Sequence, residues 1–219
     1  MNTYMIRQKC ALAMALCSIA AASAQSSASA TDNYSRVTLG TVISQPVYTG
    51  DGIARVSNHN LYGVSAGYLV GINVTGHSMP LFVEVGPEVG FARRSEEIDY
   101  WEDHTLTLHD EIQTKRLTLS SPVNMVYLHH FTDAIALAPS AGLQAKVNLL
   151  AETSSEGKTS SLFDAGANRF QLGWDVGCGI YFGRFHLGFS YVADITPFMS
   201  DDDEKERYQN LNFSIGLKF

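Results

Sequence analysis

The ten residues Asn210-Leu211-Asn212-Phe213-Ser214-Ile215-Gly216-Leu217-Lys218-Phe219 alternate without exception. Every odd position is large and apolar, and every even position is polar or glycine. Period two is the signature of a strand with one greasy face and one wet face. Its length matches the ~9–11 residues that a tilted strand needs to cross a bilayer. A terminal aromatic residue closes it. The closing strand of a membrane β-barrel has this form, and it constrains what the rest of the chain must supply.

The rest of the chain repeats the pattern. A first, weaker strand runs from Val37 to Ser44. A second carries Tyr62, Val64, Ala66, Tyr68, Val70, Ile72 and Val74 on one face and small residues on the other, and turns at Gly76-His77. A third puts Leu81, Val83, Val85, Val89 and Phe91 outward, with Pro87 marking an irregularity because it removes a ladder donor. The fourth (Leu117, Leu119, Val123, Met125, Tyr127), fifth (Ile135 to Leu149), sixth (Phe170 to Ile180) and seventh (Phe185 to Tyr191) follow the same rule. The sixth and seventh are expected to join at Phe182-Gly183, which would set Asp175 opposite Ser190 and Gly179 opposite His186. The connections alternate long and short. Arg93–Lys115, Ala151–Arg169 and the acidic run around Asp201 are long, and the turns between them are brief. The expectation is an all-β, antiparallel, up-and-down transmembrane barrel of about eight strands, with ten as the alternative count.

A soluble barrel or sandwich would also alternate, with its apolar face inward. The wet face decides between them. In the second, sixth and seventh strands it is mostly Gly, Ser and Asn, which suits a crowded, narrow lumen. The apolar face carries aromatics near strand ends (Tyr62, Phe91, Tyr127, Phe170, Tyr191, Phe219), as the girdles of a membrane barrel do. No stretch beyond the first 24 residues approaches 18 uninterrupted apolar residues, so the chain enters a membrane as strands. Charged residues are 17%, below the ~25% of soluble domains. A formal charge of −7 without a basic patch speaks against nucleic acid.

The N-terminus reads as an export signal over 1–24. Arg7 and Lys9 precede the apolar run Cys10–Ala22, and Ala22-Ser23-Ala24 is a small-x-small cleavage site, with Ala28-Ser29-Ala30 as a later one. Cleavage after Ala24 takes the net charge from −7 to −9, since both cations leave and no acid does. Residues 25–33 read as a flexible leader and 34–219 as the barrel domain. Cys178 is the one cysteine beyond the signal, so no internal disulfide is available.

Pro122 followed by apolar residues, Pro139-Ser140-Ala141-Gly142, and Gly173…Gly177-Cys178-Gly179-Ile180-Tyr181 are strand motifs of recognisable type. So are Arg184-Phe185-His186-Leu187 and the closing Leu211-x-Phe213-Ser214-Ile215-Gly216-Leu217-Lys218-Phe219. Together they resemble the PorT-like outer-membrane β-barrel family of Bacteroidota over roughly Val37 to Phe219. The chain departs from that pattern at Ser120-Ser121, where the family is more apolar. The resemblance implies a barrel fold and an outer-membrane location, not one shared activity. Resemblance to other outer-membrane barrels further implies that Phe219 is read by the barrel-assembly machinery.

The candidate chemistry is sparse. Glu84, Glu88, Arg116, Lys146, Asp175 and His186 are expected to project into the lumen, with Glu84 or Glu88 pairing Arg116 or Lys146, because unpaired buried charge is costly. His186, Ser190 and Asp194 share one face of one strand but stand ~13 Å apart in sequence steps of four, too far for a hydrolytic triad. His104, His109, Asp110, His129 and His130 lack metal-ligand spacing, and Asp201 to Glu204 lacks the glycine of a Ca²⁺ loop. No metal and no cofactor is expected. Tyr100 and Trp101, with Asp201, Asp202 and Asp203, are candidate outer-loop contacts. The function read from these features is a structural or surface-interaction barrel with a plugged, non-catalytic lumen. An accessory component of a secretion or transport machine is the alternative, and a lipid-modifying enzyme a further one. The expected partners are outer-membrane lipid, the barrel-assembly machinery and a surface or secretion partner, with the chain a monomer.

Overall fold

The computed structural model describes residues 32–50, 53–56, 59–75, 79–102, 105–155, 157–200 and 204–219, with backbone alone for 53–56, 97–102 and 105–110. The export signal, most of the leader, Gly76-His77, His104 and Asp201–Asp203 lie outside the described residues.

The strands are β1 (Tyr34–Gly50), β2 (Ile53–Val56), β3 (Leu61–Asn73), β4 (Leu81–Val85), β5 (Glu88–Glu102), β6 (Thr105–Tyr127), β7 (His129–His130), β8 (Ile135–Ser155), β9 (Lys158–Ser161), β10 (Phe170–Phe182), β11 (Phe185–Asp194), β12 (Met199–Ser200) and β13 (Glu204–Lys218). All pairings are antiparallel. The wall runs β1, β3, β4 with β5, β6, β8, β10, β11 and β13, and closes because β13 pairs with β1. That makes eight staves, β4 and β5 being one stave broken at Gly86-Pro87. Leu81↔Tyr127 and Glu88↔Ser120 keep one register across the break, as expected where proline removes a ladder donor.

Closure is the structural answer to the edge of the last strand. Val37 faces Leu217, Leu39 faces Ile215 and Ile43 faces Leu211, so the apolar sets of the first and last strands coincide. Phe219 is tied back by paired backbone hydrogen bonds with Ser35, at 2.8 and 2.9 Å. The apolar face is outward all round the wall: Val64, Val89, Val123, Leu143, Val176, Leu187 and Ile215 are all exposed. Tyr62, Phe91 and Phe170 ring one end of this band, and Tyr127, Phe131, Phe182 and Phe185 the other. A one-residue slip anywhere would invert this arrangement.

Glycine lines the inside because neighbouring backbones come close there. A Cβ on Gly63 would stand 2.1 Å from the Phe91 carbonyl oxygen, and one on Gly142 2.1 Å from that of Val123.

Three expectations need correction. The β10–β11 turn is Gly183-Arg184, not Phe182-Gly183, because Phe182 pairs with Phe185. Gly183 has φ of 60°, which glycine adopts without strain. The register therefore moves by two: Asp175 faces Val192 and His186 faces Tyr181. The parity, and hence each residue's face, is unchanged. Second, Arg93–Lys115, expected as a long connection in which Thr105–Leu108 could carry a strand beyond the membrane, is a β5–β6 ladder throughout that continues to Glu102↔Thr105, with an irregularity at Tyr100/Trp101. Third, the lumen is not polar throughout, as its two ends show.

A sealed lumen with a charged middle

Both mouths of the barrel are filled by apolar side chains. At the short-turn end Tyr34, Phe82, Val126, Leu128, Ala136, Ala138 and Tyr181 form a buried cluster. Tyr34 meets Phe82 edge-on at 5.0 Å and Tyr181 at 6.4 Å. The Lys218 ammonium lies 5.2 Å from the centroids of Tyr34 and Tyr181. At the long-loop end Leu61, Ala92, Ala151 and Tyr208 from the wall meet Ala167 and Phe198 from the connections, with Leu162 and Phe163 packed on them. The outer connections thus fold inward over the mouth. An eight-stave barrel has just enough interior for its side chains, and here they close it.

Between the plugs lies the charged layer. Arg36 on β1 donates to Glu84 Oε2 on β4 at 2.7 Å, and the Tyr34 hydroxyl donates to Glu84 Oε1 at 2.6 Å. Arg36 also donates to His186 Nε2 on β11. Arginine has no acceptor, so that nitrogen accepts and the imidazole proton sits on Nδ1. The imidazole leans over the glycines, since a Cβ on Gly179 would stand 2.4 Å from His186 Nε2. Asp175 on β10 accepts from Asn124 Nδ2 at 2.7 Å. Lys146 on β8 is ion-paired with Asp194 on β11, and Asp194 Oδ2 accepts from Gln171 Nε2 at 2.7 Å. Arg116 on β6 donates to Asn148 Oδ1 at 3.0 Å and Gln171 Oε1 at 3.2 Å. Its guanidinium lies 4.4 Å from the Phe198 ring and 4.0 Å from that of Tyr208, which ties the charged layer to the outer plug.

The six charged residues singled out from sequence therefore gather in one lumen, but their pairing differs from expectation. Glu84 takes Arg36, and Lys146 takes Asp194. Arg116 binds neutral oxygens and aromatic faces instead of a carboxylate. Arg36 lies just outside the strand expected from Val37, and one more step of the period-two alternation puts it on the inner face with Thr38. Asp194, on the same face as His186 and Ser190, is weighed from sequence only as a triad member, not as a partner for Lys146. Ser190 accepts from Asn212 Nδ2 at 3.1 Å, and Asp194 is held by Lys146 and Gln171, so neither meets His186 as a hydrolytic triad requires. Among the described residues no three of His, Cys, Asp and Glu gather as a metal site. Tyr100 and Trp101 fall near the end of the β5–β6 ladder.

An apolar band facing lipid, aromatic rings at its two edges and a sealed polar interior define a transmembrane β-barrel of the bacterial outer membrane. The chain belongs to the outer membrane protein beta-barrel domain family, whose model matches residues 24–200. Solved structures with a similar fold include Ail, the attachment invasion locus protein of Yersinia pestis, in complex with the heparin analogue sucrose octasulfate. It is 17% identical, with 86% of this chain and 99% of that chain covered and a TM-score of 0.42. Neisserial surface protein A is 12% identical over 84% and 97% of the two chains, with a TM-score of 0.39. OprG from Pseudomonas aeruginosa is 11% identical over 86% and 97%, with a TM-score of 0.40. No curated protein matches the chain.

Proposed function

We propose that this outer-membrane barrel is a non-catalytic surface-interaction protein whose contact element is the β5–β6 hairpin. One observation carries the reading. Beyond Arg93, β5 pairs with β6 and with no other described strand, and before Gln113 the same holds for β6. A two-stranded ribbon therefore projects past the eight-stave wall with both long edges open among the described residues. Open strand edges are templates for pairing with another extended chain, and Tyr100 and Trp101 stand near the ribbon's end as anchors. The base of the ribbon is braced: Arg94 donates to the His59 carbonyl at 3.1 Å, and Glu96 pairs His59 Nδ1 at 2.6 Å. A braced base and an open end suit an element held out for contact.

Export by residues 1–24, recognition of Phe219 by the barrel-assembly machinery, and a monomeric state in outer-membrane lipid belong to the same reading. The strand motifs named above support a narrower placement among PorT-like barrels. Replacing residues 97–111 with Asn-Gly leaves Glu96 and Ile112 as the last pair and suits a two-residue hairpin. The shortened barrel is expected to keep its heat-modifiable migration and to lose capture of surface proteins that the full chain retains. Capture unchanged by the deletion would remove the hairpin from the proposal.

A further inference from the structure

The charged layer encloses space. One cavity of about 80 Å³ is lined by Arg36, Glu84, Glu88, Asn124, Asp175 and His186, among others. A second, of about 60 Å³, lies against Arg116 and Lys146. Ser65, Glu88, Gln144 and Asn212 line both, so the two form one chamber with Glu88 at the junction. The volume holds several small species, since a water needs roughly 10–15 Å³ of such space.

The charged layer carries one negative charge in excess: Glu84, Glu88 and Asp175 line the chamber against Arg36, Arg116 and Lys146, and Asp194 sits beside Lys146. Arg36 is already bonded to Glu84. Lys146 is committed to Asp194, and Arg116 to Asn148, Gln171 and two aromatic rings. Glu88 and Asp175 are thus carboxylates in a sealed interior whose nearby cations are each engaged elsewhere, a costly arrangement unless countercharge is supplied.

Unpaired atoms point the same way. Asn124 Oδ1 and Asp175 Oδ1 are buried without a hydrogen-bond partner, on side chains only 8% and 5% exposed. Both are acceptors on side chains that line the larger cavity, so what satisfies them must be a proton donor or a cation. His186 Nδ1 and Arg36 Nε, also without partners, are donors on the same wall and want an oxygen. A partly hydrated cation answers both demands: it is ligated by Asp175 and Asn124 while its waters accept from His186 and Arg36. The ligand set is oxygen, from two carboxylates and an amide, and among the described residues no three of His, Cys, Asp and Glu are grouped so as to hold a metal ion together, which suits a singly charged ion better than a divalent one.

We propose that the chamber is a binding site for one monovalent cation of sodium or potassium size, held by Asp175, Asn124 and Glu88. The ion supplies the missing positive charge and becomes part of the folded barrel, independently of any contact made by the β5–β6 hairpin.

The test is refolding of the full chain in sodium, potassium or choline chloride at equal ionic strength of about 0.15 M, where general screening is the same. The readout is the temperature at which the compact band of an unheated gel sample is lost. The midpoint is expected at least about 3 °C higher in sodium or potassium than in choline, whose ion is too large for the chamber. Asp175→Asn should abolish that difference, and Asp164→Asn on an exposed outer turn should keep it. Where Asp175→Asn does not refold, Asn124→Asp serves: it adds a carboxylate at the same place and should widen the difference. Equal midpoints in all three salts would overturn the proposal, as would a midpoint that follows pH alone, which marks a proton in place of the ion. A difference that survives Asp175→Asn or is untouched by Asn124→Asp would overturn it as well.

Discussion

Arg36→Met should destabilise the folded barrel by about 3–5 kcal/mol, the cost of leaving one partner of a buried ion pair alone. Glu84 is 3% exposed and keeps just the Tyr34 hydroxyl when the guanidinium is gone. His186 loses its donor at the same time. Arg36→Met/Glu84→Gln removes the orphaned charge and should recover most of the loss, since replacing both members of a buried pair is often close to neutral. Arg93→Met, on the exposed outer face, should change stability by less than about 0.5 kcal/mol. Chemical unfolding of refolded protein in lipid vesicles reads all three. A single mutant as stable as the parent would mean that Arg36 and Glu84 are not a buried pair.

Ile215→Lys should cost about 2–4 kcal/mol, the penalty for a cation at the mid-depth of a barrel's lipid face. Ile215 is 61% exposed in the isolated chain, and on a soluble protein such a position would accept lysine at little cost. The penalty therefore separates lipid from water as the surrounding medium. Leu217→Lys lies two residues nearer the end of β13 and should cost less, because the penalty falls towards the interface. Unfolding midpoints in vesicles give the comparison, and an equal, near-zero cost at both sites would contradict a lipid-facing wall.

The wall was legible because a stave facing lipid on one side and a narrow lumen on the other has no freedom of pattern. Parity alone puts Val37 and Leu217, and likewise Val64 and Phe91, on the same lipid face, where they are paired. What parity cannot supply is a shift by two, which leaves every face unchanged, and the β10–β11 turn moved by that amount. Strand ends were the other blind spot. Once a stave leaves the bilayer, its outward face turns polar and the alternation of hydrophobicity fades, as from Arg93 onward in β5 and before Leu117 in β6. The plugs were invisible for a third reason. Phe82, Val126 and Tyr181 are inward-facing apolar residues in staves whose inner face is otherwise polar or small, and Phe198 reaches the outer mouth from a connection. The lumen charges could be gathered by face, but their partners depend on barrel stagger, which brings Arg36 to Glu84 across β3 and Lys146 to Asp194 across β10.

Closure of β13 on β1 is the central structural claim, and a disulfide tests it directly. Leu39 and Ile215 are Cα partners on the lipid face. Residues directly opposite in an antiparallel pair stand about 4.5–5.5 Å apart, within disulfide reach. In a Cys178→Ser background, Leu39→Cys/Ile215→Cys should cross-link on mild oxidation of isolated outer membranes. Thr41→Cys/Ile215→Cys, displaced by two residues, should not. A cross-link at the displaced pair, or none at either while the chain resides in the outer membrane, would contradict a barrel closed in this register.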